Sequence, residues 1–575
     1  MKFLRRLIPY LVILIVLAAV WIWWNRPKKV DMAAYVPADA LLYLEANDLP
    51  QIVKGVTTTE GWKVLAGPAG VKSEVWRAGW FGRLAAWAGI GSADTIVFSR
   101  MQIAATVVGV AAADGGDTLN VKPRVAIVVE THSSERRTQA TIEKHIGNFA
   151  VRAYVNPRID KKEIEGVHWT TWNSPTRDRR IVVAVSGSNA IIGNDELAVQ
   201  ACLAVRRGER PSLGGNLELE EARLRVPHNG SLAFGFMSSE GAMVLSELVA
   251  AIYVGQLSEE AQAQSLAANL VPQVAKKILG GVGWSTRLVD GKIEDAYFIS
   301  LKNDAGARLR ATLTPPTTNT VPAAALLPSD TYSLTRYETR DALTAWRGLN
   351  FSISSQLDPV LAILVPRFLE AALSPYGIEE SDLFLQAIGP EVITARLESG
   401  GQSTVLIVEI RDDKSLRALI SKRFGSGKPQ VEVVGDAEIW SSSDEARGAA
   451  SFSNGYLVMG PKSSVRKCLE ARQRGGTLAN SPEFEKTRGA AAFGGISHVL
   501  SLTRDTVPAR DFIVFMTSQP AVSGNPTDAQ ELDARISHLP YAVSEMNFVE
   551  GGIERRTRST FGLLGTLATQ FNPRN

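Results

Sequence analysis

Apolar and polar positions along this chain change period repeatedly, and one succession of periods is written twice. An opening strand follows a proline in "PADALLYLE" from Pro37 and again in "PSDTYSLTR" from Pro328. A β-branched run then gives way to polar residues and a helical pattern in "VAIVVETHSSERRTQATIEKHIG" (Val125 to Gly147). The same happens in "VLIVEIRDDKSLRALISKRFG" (Val405 to Gly425), and each ends on a glycine suited to a helix C-cap. The third match is the densest. "NAIIGNDELAVQACLAVRRGERPSLGGNLELEEAR" (Asn189 to Arg223) and "GYLVMGPKSSVRKCLEARQRGGTLANSPEFEKTR" (Gly455 to Arg488) share an apolar strand, a glycine, a helix holding a cysteine, and E-[LF]-E-x-x-R. A further strand follows each, "GSLAFGFM" from Gly230 and "ISHVLSLT" from Ile496. Last come "VDGKIE" at Val289 and "VEGGIE" at Val549, where Asp-Gly and Gly-Gly supply the turn chemistry of a tight hairpin. The offsets between copies run 291, 280, 265 and 260, a drift that loop insertions produce.

The pattern therefore predicts an α+β chain: an N-terminal transmembrane helix, then two homologous domains. Each domain is expected to be a largely antiparallel or mixed sheet with packed helices, two such layers lying side by side. Residues 1–30 form the anchor, 31–314 the first domain and 326–575 the second, with a Pro/Thr-rich linker at 315–325 inside "LTPPTTNTVPAAALLP". Gly241 to Gly281 fits two helices, and its counterpart Asp511 to His538 is shorter and more broken. "DPVLAILVPRFLEAAL" (Asp358 to Leu373) is short and carries Pro366, Arg367 and Glu370, so it reads as a kinked, buried helix rather than a second span.

The anchor reading rests on 18 uncharged residues, Leu7 to Trp24. As a helix they cover about 27 Å, close to the thickness of a hydrocarbon core. Trp21, Trp23 and Trp24 gather at the far end, where amphipathic rings favour the headgroup level. Lys2, Arg5 and Arg6 precede the segment, and Arg26, Lys28 and Lys29 stop it. A cleaved signal peptide is the rival, but Ala18-Ala19 runs into Val20 and Trp21 without an A-x-A site and a polar start. The bulk of the chain is expected on the outer, periplasmic side of a cytoplasmic membrane, with the lipid bilayer as its first partner.

Composition narrows the chemistry. Lys and Arg number 62 against 59 Asp and Glu, a formal net charge of +3, so there is no long-range field for nucleic acid. The short clusters Arg177, Arg179, Arg180 and Arg206, Arg207, Arg210 read as solvated loops or helix ends. Two cysteines, Cys202 and Cys468, make no disulfide framework and no CxxC; on corresponding helices, they read as small packed residues. Ser464 to Lys467 is an S-x-x-K without its partner motifs, and copy one lacks it. "FGSGKP" (Phe424 to Pro429) lacks the first glycine and the Ser/Thr of a phosphate loop. "DGGD" (Asp114 to Asp117) lacks a calcium-binding glutamate. None of the six histidines forms H-x-x-x-H. No catalytic residue, cofactor site or metal site is assigned. "EVWRAGWFGRLAAWAGI" (Glu74 to Ile90) sets Trp76, Trp80, Leu84 and Trp87 near one helical stripe, either an aromatic core helix or one resting on the bilayer interface.

"VPADALLYLEANDLPQIV", following an N-terminal apolar segment, resembles a family of bacterial membrane-anchored envelope proteins built on a domain of unknown function. These open with a V-P-x-D-[AT]-x-x-Y-x-x-x-x-D-L strand. Copy two departs from the motif: "LPSDTYSLTRYETRDAL" keeps the proline and aspartate but moves the tyrosine. The resemblance implies location and brings no catalytic residue. The expectation is a non-enzymatic envelope protein for scaffolding or binding of an envelope protein partner. A binder or carrier of lipid or another apolar ligand is the alternative, and an enzyme with a dispersed site the third.

Overall fold

The computed structural model describes residues 29–71, 97–113, 120–257, 261–312, 321–357, 378–399, 403–424, 429–490, 497–517 and 527–570, apart from breaks of one or two residues and with scattered positions between 362 and 373. Contacts gather the chain into two compact units. One comprises Met1–Ala38, Glu45–Leu49 and Gly91–Gly215, the other Asp39–Leu44, Pro50–Ile90 and Asn216–Asn575.

Twenty strands are described. In copy one these are β1 (Leu42–Ala46), β2 (Gln102–Ala113), β3 (Asn120–Glu130), β4 (Arg158–Ile164), β5 (Val167–Asn173), β6 (Arg180–Ser186), β7 (Asn189–Gly193), β8 (Ala233–Met237), β9 (Leu279–Val289) and β10 (Lys292–Leu301). Copy two supplies β11 (Ser333–Glu338), β12 (Ile388–Arg396), β13 (Thr404–Ile410), β14 (Gln430–Val434), β15 (Ala437–Ser441), β16 (Ala449–Ser453), β17 (Tyr456–Gly460), β18 (Val499–Arg504), β19 (Tyr541–Val549) and β20 (Gly552–Ser559).

In the first unit the strands run β2-β3-β7-β6-β5-β4, all antiparallel. The helix Glu135–Tyr154 closes one core with Ile142 against Val129, Trp172, Val183 and Val185. It runs through Gly147 to Tyr154, past the expected C-cap, because the turns beyond the glycine still bury Ala150. Asp195 caps the helix Glu196–Arg206 by accepting from Leu197 N, and that helix sits so close to the sheet that a Cβ on Gly193 would meet Val199 at 2.7 Å. β4 is exposed along its whole length and carries Asp160, Lys161, Lys162 and Glu163. Charges of this kind blunt an open sheet edge against pairing with other chains.

In the second unit the order is β8-β9-β10-β20-β19-β18-β11-β12-β13-β17-β16-β15-β14, again antiparallel throughout. Register puts Leu334, Ile393, Leu500, Leu502 and Val543 on one face, where they meet Val465, Cys468 and Leu469 of the helix Lys462–Gln473. The opposite face near β13 and β17 packs Leu406, Val408, Leu457 and Met459 on Leu416 and Ile420 of the helix Asp413–Arg423. Each such fully buried side chain contributes about 1.5–3 kcal/mol.

Duplication is visible in small devices as well as in strand order. A 3-10 helix at Met32–Tyr35 in copy one corresponds to Pro322–Leu326 in copy two, and the isolated bridges Pro37–Ser212 and Pro328–Thr477 follow them. Ala323 and Ala324 are fully buried, so Pro322 to Ala325 belong to the fold rather than to a linker. The remaining expected linker, 315–320, lies outside the described residues. Helices Ser239–Leu257 and Ala261–Ile278 answer the two expected in copy one; Thr506–Thr517 and Ala529–Ser537 are their shorter counterparts.

The expected fold class needs correction. The copies do not build two separate sheets, each with its own layer of helices. Within the second unit the sheet of copy two continues through β20 and β10 into β9 and β8 of copy one, and every pairing is antiparallel. The physical reason is the edge: β20 and β10 close their own hairpins, and each would present an unpaired row of amides unless the other covered it. Among the described residues no helix is long and apolar enough to cross a membrane. The segment expected to do so, with Leu7, Trp21, Trp23 and Trp24, lies outside the described residues.

Candidate functional site

The seam between β10 and β20 is where the two copies meet. Ile293 pairs with Ser559, Ala296 with Arg556, and Ile299 with Ile553. At the repeat offset of 260, Ala296 and Arg556 are equivalent positions, so exchanging the copies leaves the pairing unchanged. This is the register of an isologous dimer contact, made here inside one chain. The helices after the two hairpins obey the same exchange. Ala305, at the start of Ala305–Thr312, packs with Ile553, while Gly562 lies against Ile293 and Asp295.

Charge is buried along this seam. Glu294, 1% exposed, accepts from Arg287 Nε at 2.8 Å and Arg558 Nε at 2.9 Å. Burial works to raise its pKa, but those hydrogen bonds outweigh it and hold the carboxyl below the usual range. On the other face Asp295 accepts from Trp284 Nε1 at 3.0 Å and Leu563 N at 2.8 Å, and Asp505 accepts from Thr560 N. Burial raises both of these carboxyls, and for Asp505 the charge of Asp295 adds to the effect. Glu545 stands on β19 with the Glu294 face of the sheet. Burial pushes its pKa up to about 7 despite Arg558, Arg556 and Arg336.

Across the Asp295 face runs a row of hydroxyls. Register aligns Thr394, Thr335, Ser501, Ser544, Thr557, Asp295 and Thr286 over seven neighbouring strands. Thr335 and Ser501 hydroxyls lie 3.0 Å apart, and those of Ser544 and Thr557 2.8 Å apart. The adjoining row reads Val392, Tyr337, Val499, Met546, Arg555 and Tyr297. Tyr337 is 43% exposed, Arg555 is exposed and the others are half-buried. This alternation has a simple source: on β11, β18 and β19 every second side chain, among them Leu334, Leu500, Leu502 and Val543 with the charged Arg336 and Glu545, turns to one core, and Ser, Thr or amphipathic residues stand opposite.

A cleft of about 780 Å3 opens at one end of the seam. Its wall includes Glu60, Gly61 and Val64, the turn Asp290-Gly291-Lys292, Lys486, the stretch Ala534 to Pro540 in part, and Thr560. Asp290 and Gly291 have φ of 49° and 73°, as a type I′ hairpin turn requires. In copy two only Gly551 is left-handed, at 79°. Gly291 C=O accepts from Glu60 N at 2.8 Å, which docks the turn on the helix Glu60–Leu65. Lys292 is half-buried; burial lowers its pKa, with Glu60 acting the other way.

The sequence-singled residues distribute as follows. Trp76, Trp80, Leu84 and Trp87 lie outside the described residues, as do Arg177 and "DGGD". Cys202 and Cys468 are buried, and burial pushes each thiol up to about 12, so both are packed, unreactive side chains. Ser464 is buried and Lys467 turns to Asp330 at 3.0 Å, which leaves the S-x-x-K without a lysine base. Arg207 pairs with Glu165 at 2.5 Å and Arg206 donates to Ser186 O at 2.5 Å, so those basic residues serve loops. Among the described residues no three His, Cys, Asp or Glu side chains group as a metal site requires. Of the seam and its cleft the sequence shows only the hairpin turn in "VDGKIE". No family model, curated protein or solved structure matches this chain.

Proposed function

We propose that this is a non-enzymatic, membrane-attached bacterial envelope protein whose fused copies form a rigid platform for a protein partner. The observation that carries this reading is the half-open sheet face beside the seam. Tyr337, Val499, Met546, Arg555 and Tyr297 stand next to a row of hydroxyls, on strands held from behind by a filled core under β11, β18 and β19 and by the Glu294–Arg558 ion pair under β10 and β20. Aromatic residues, Met and Arg are the types enriched where proteins meet, and hydroxyls supply the directional bonds of such a surface. Rigid strands lower the ordering cost of association. Attachment to the bilayer is supported by the uncharged segment Leu7 to Trp24 and its three tryptophans.

The test places a photo-crosslinking amino acid at Tyr337 in the full chain in intact cells. The expected outcome is one reproducible protein adduct, absent when the same group replaces exposed Leu224 and reduced by Met546→Asp. Adducts with lipid alone would overturn the reading. Protease treatment of spheroplasts tests the outward placement, which full protection of residues beyond 30 would sink.

A further inference from the structure

The cleft beside Gly291 lies at one end of the twofold seam. At the repeat offset of 260, His538 and Leu539 correspond to Ile278 and Leu279. In copy one Ile278 and Leu279 belong to a closed apolar cluster with Leu301, Ala305, Ile353 and Ile553. At the other end Leu539 is likewise packed, with Trp62, Ile536 and Phe561, while it and the exposed His538 border the cleft. Lys292, where copy two has Gly552, adds a cation to its wall. Both ends of the duplicated joint are thus packed, and the cleft lies over the apolar cluster at the Leu539 end.

The opening has a consistent chemistry. Val64, Ala534, Leu539 and Pro540 make much of its wall apolar, and its volume lies within the range of small-molecule sites. Lys292, Lys486, Arg535 and His538 stand along its rim, beside the carboxylates of Glu60 and Asp290. Arg535 is engaged by Glu531 at 3.3 Å and His538 by Glu483 at 3.0 Å. The side chains of Lys292 and Lys486 have no ion pair or hydrogen bond among the described residues. Lys292 has Glu60 and buried Asp505 in its electrostatic surroundings, with Arg558 opposing them. Burial weakens the Asp505 counter-charge by favouring its protonated form. A half-buried ammonium in an apolar wall is unfavourable alone and gains by meeting an anion there.

We infer that the cleft binds a single-chain amphiphile with an anionic head, the head on Lys292 with Lys486 at the rim, and the alkyl chain along Val64, Leu539 and Pro540. Carboxylate and phosphate heads share this chemistry. The inference rests on the cleft alone and stands or falls independently of the partner-binding face.

The test uses the full chain in nanodiscs of uncharged phosphatidylcholine and a dodecanoate analogue carrying a photoreactive group in its chain. Adducts are expected on Glu60–Leu65 and on 534–540. Excess dodecanoate or dodecyl phosphate should suppress them; dodecyltrimethylammonium and inorganic phosphate should not. Lys292→Met should weaken labelling about tenfold, the effect of losing a charge-assisted contact. Val64→Glu should abolish it through the wall rather than the head, and a thermal melt matching the parent shows that each variant folds. Labelling elsewhere, labelling unchanged in both folded variants, or equal competition by the cationic amphiphile would overturn the assignment. The more effective of the two anionic competitors identifies the head.

Discussion

Glu545 is 5% exposed on β19, and its Oε1 has no hydrogen-bond partner among the described residues. Burial raises its pKa to about 7, while Arg558, Arg556 and Arg336 pull the other way. A carboxyl whose folded pKa is raised keeps its proton in the folded state at pH values where the unfolded chain has released it. Stability from this group is therefore lost as pH rises from the unfolded value, near 4.3, toward 7. Glu545→Gln should leave little change in melting temperature at pH 4, and its advantage over the parent should grow by pH 8. A constant offset between the two melting curves at all pH values would contradict this. At the same scale, Cys202 and Cys468 should resist iodoacetamide at pH 8 in the native chain and label only in denaturant, as their raised thiols require.

Elements dock through two glycines near the cleft. Gly61 lies so close to the end of β20 that a Cβ would meet Thr560 Cγ2 at 2.0 Å. Gly61→Ala should cost about 1–3 kcal/mol through overpacking. Gly67→Ala, with nothing within 4 Å, should be close to neutral. Gly291 serves the turn instead: at φ 73° an L residue loses about 1–2 kcal/mol, so Gly291→Val should weaken the hairpin by at least that. Urea denaturation of the three variants separates the effects. The hairpin was readable from "VDGKIE" because turn chemistry is local. The approach of Gly61 was not, since its partner lies 499 positions further along the chain.

For the whole molecule the seam is the decisive joint. Glu294 sits between Arg287 and Arg558, one from its own copy and one from the other. Arg558→Met leaves the buried carboxylate with one cation, and it should cost up to about 3 kcal/mol. Hydrogen exchange provides a second check. Amides of β10 and β20 should exchange as slowly as those of β11 and β12, since the sheet has no break at the seam; faster exchange confined to β10 and β20 would mean that the copies part there.

What the sequence determined by itself is the set of local units and their repetition: strand, turn and helix patterns, the closing hairpins, the helices that carry the cysteines, and the absence of any motif with matching partners in both copies. These follow from side-chain periodicity and turn chemistry, which act over a few residues. Four features of the chain ran beyond such signals. Pro322 to Ala325 has a linker's composition, yet the core takes Ala323 and Ala324 because small residues fit under the sheet. The pairing of β10 with β20, the row of hydroxyls from Thr394 to Thr286 and the cleft at Lys292 depend on which strand covers which edge. Only the tertiary structure decided that, because an unpaired edge specifies that it must be covered and leaves open by what.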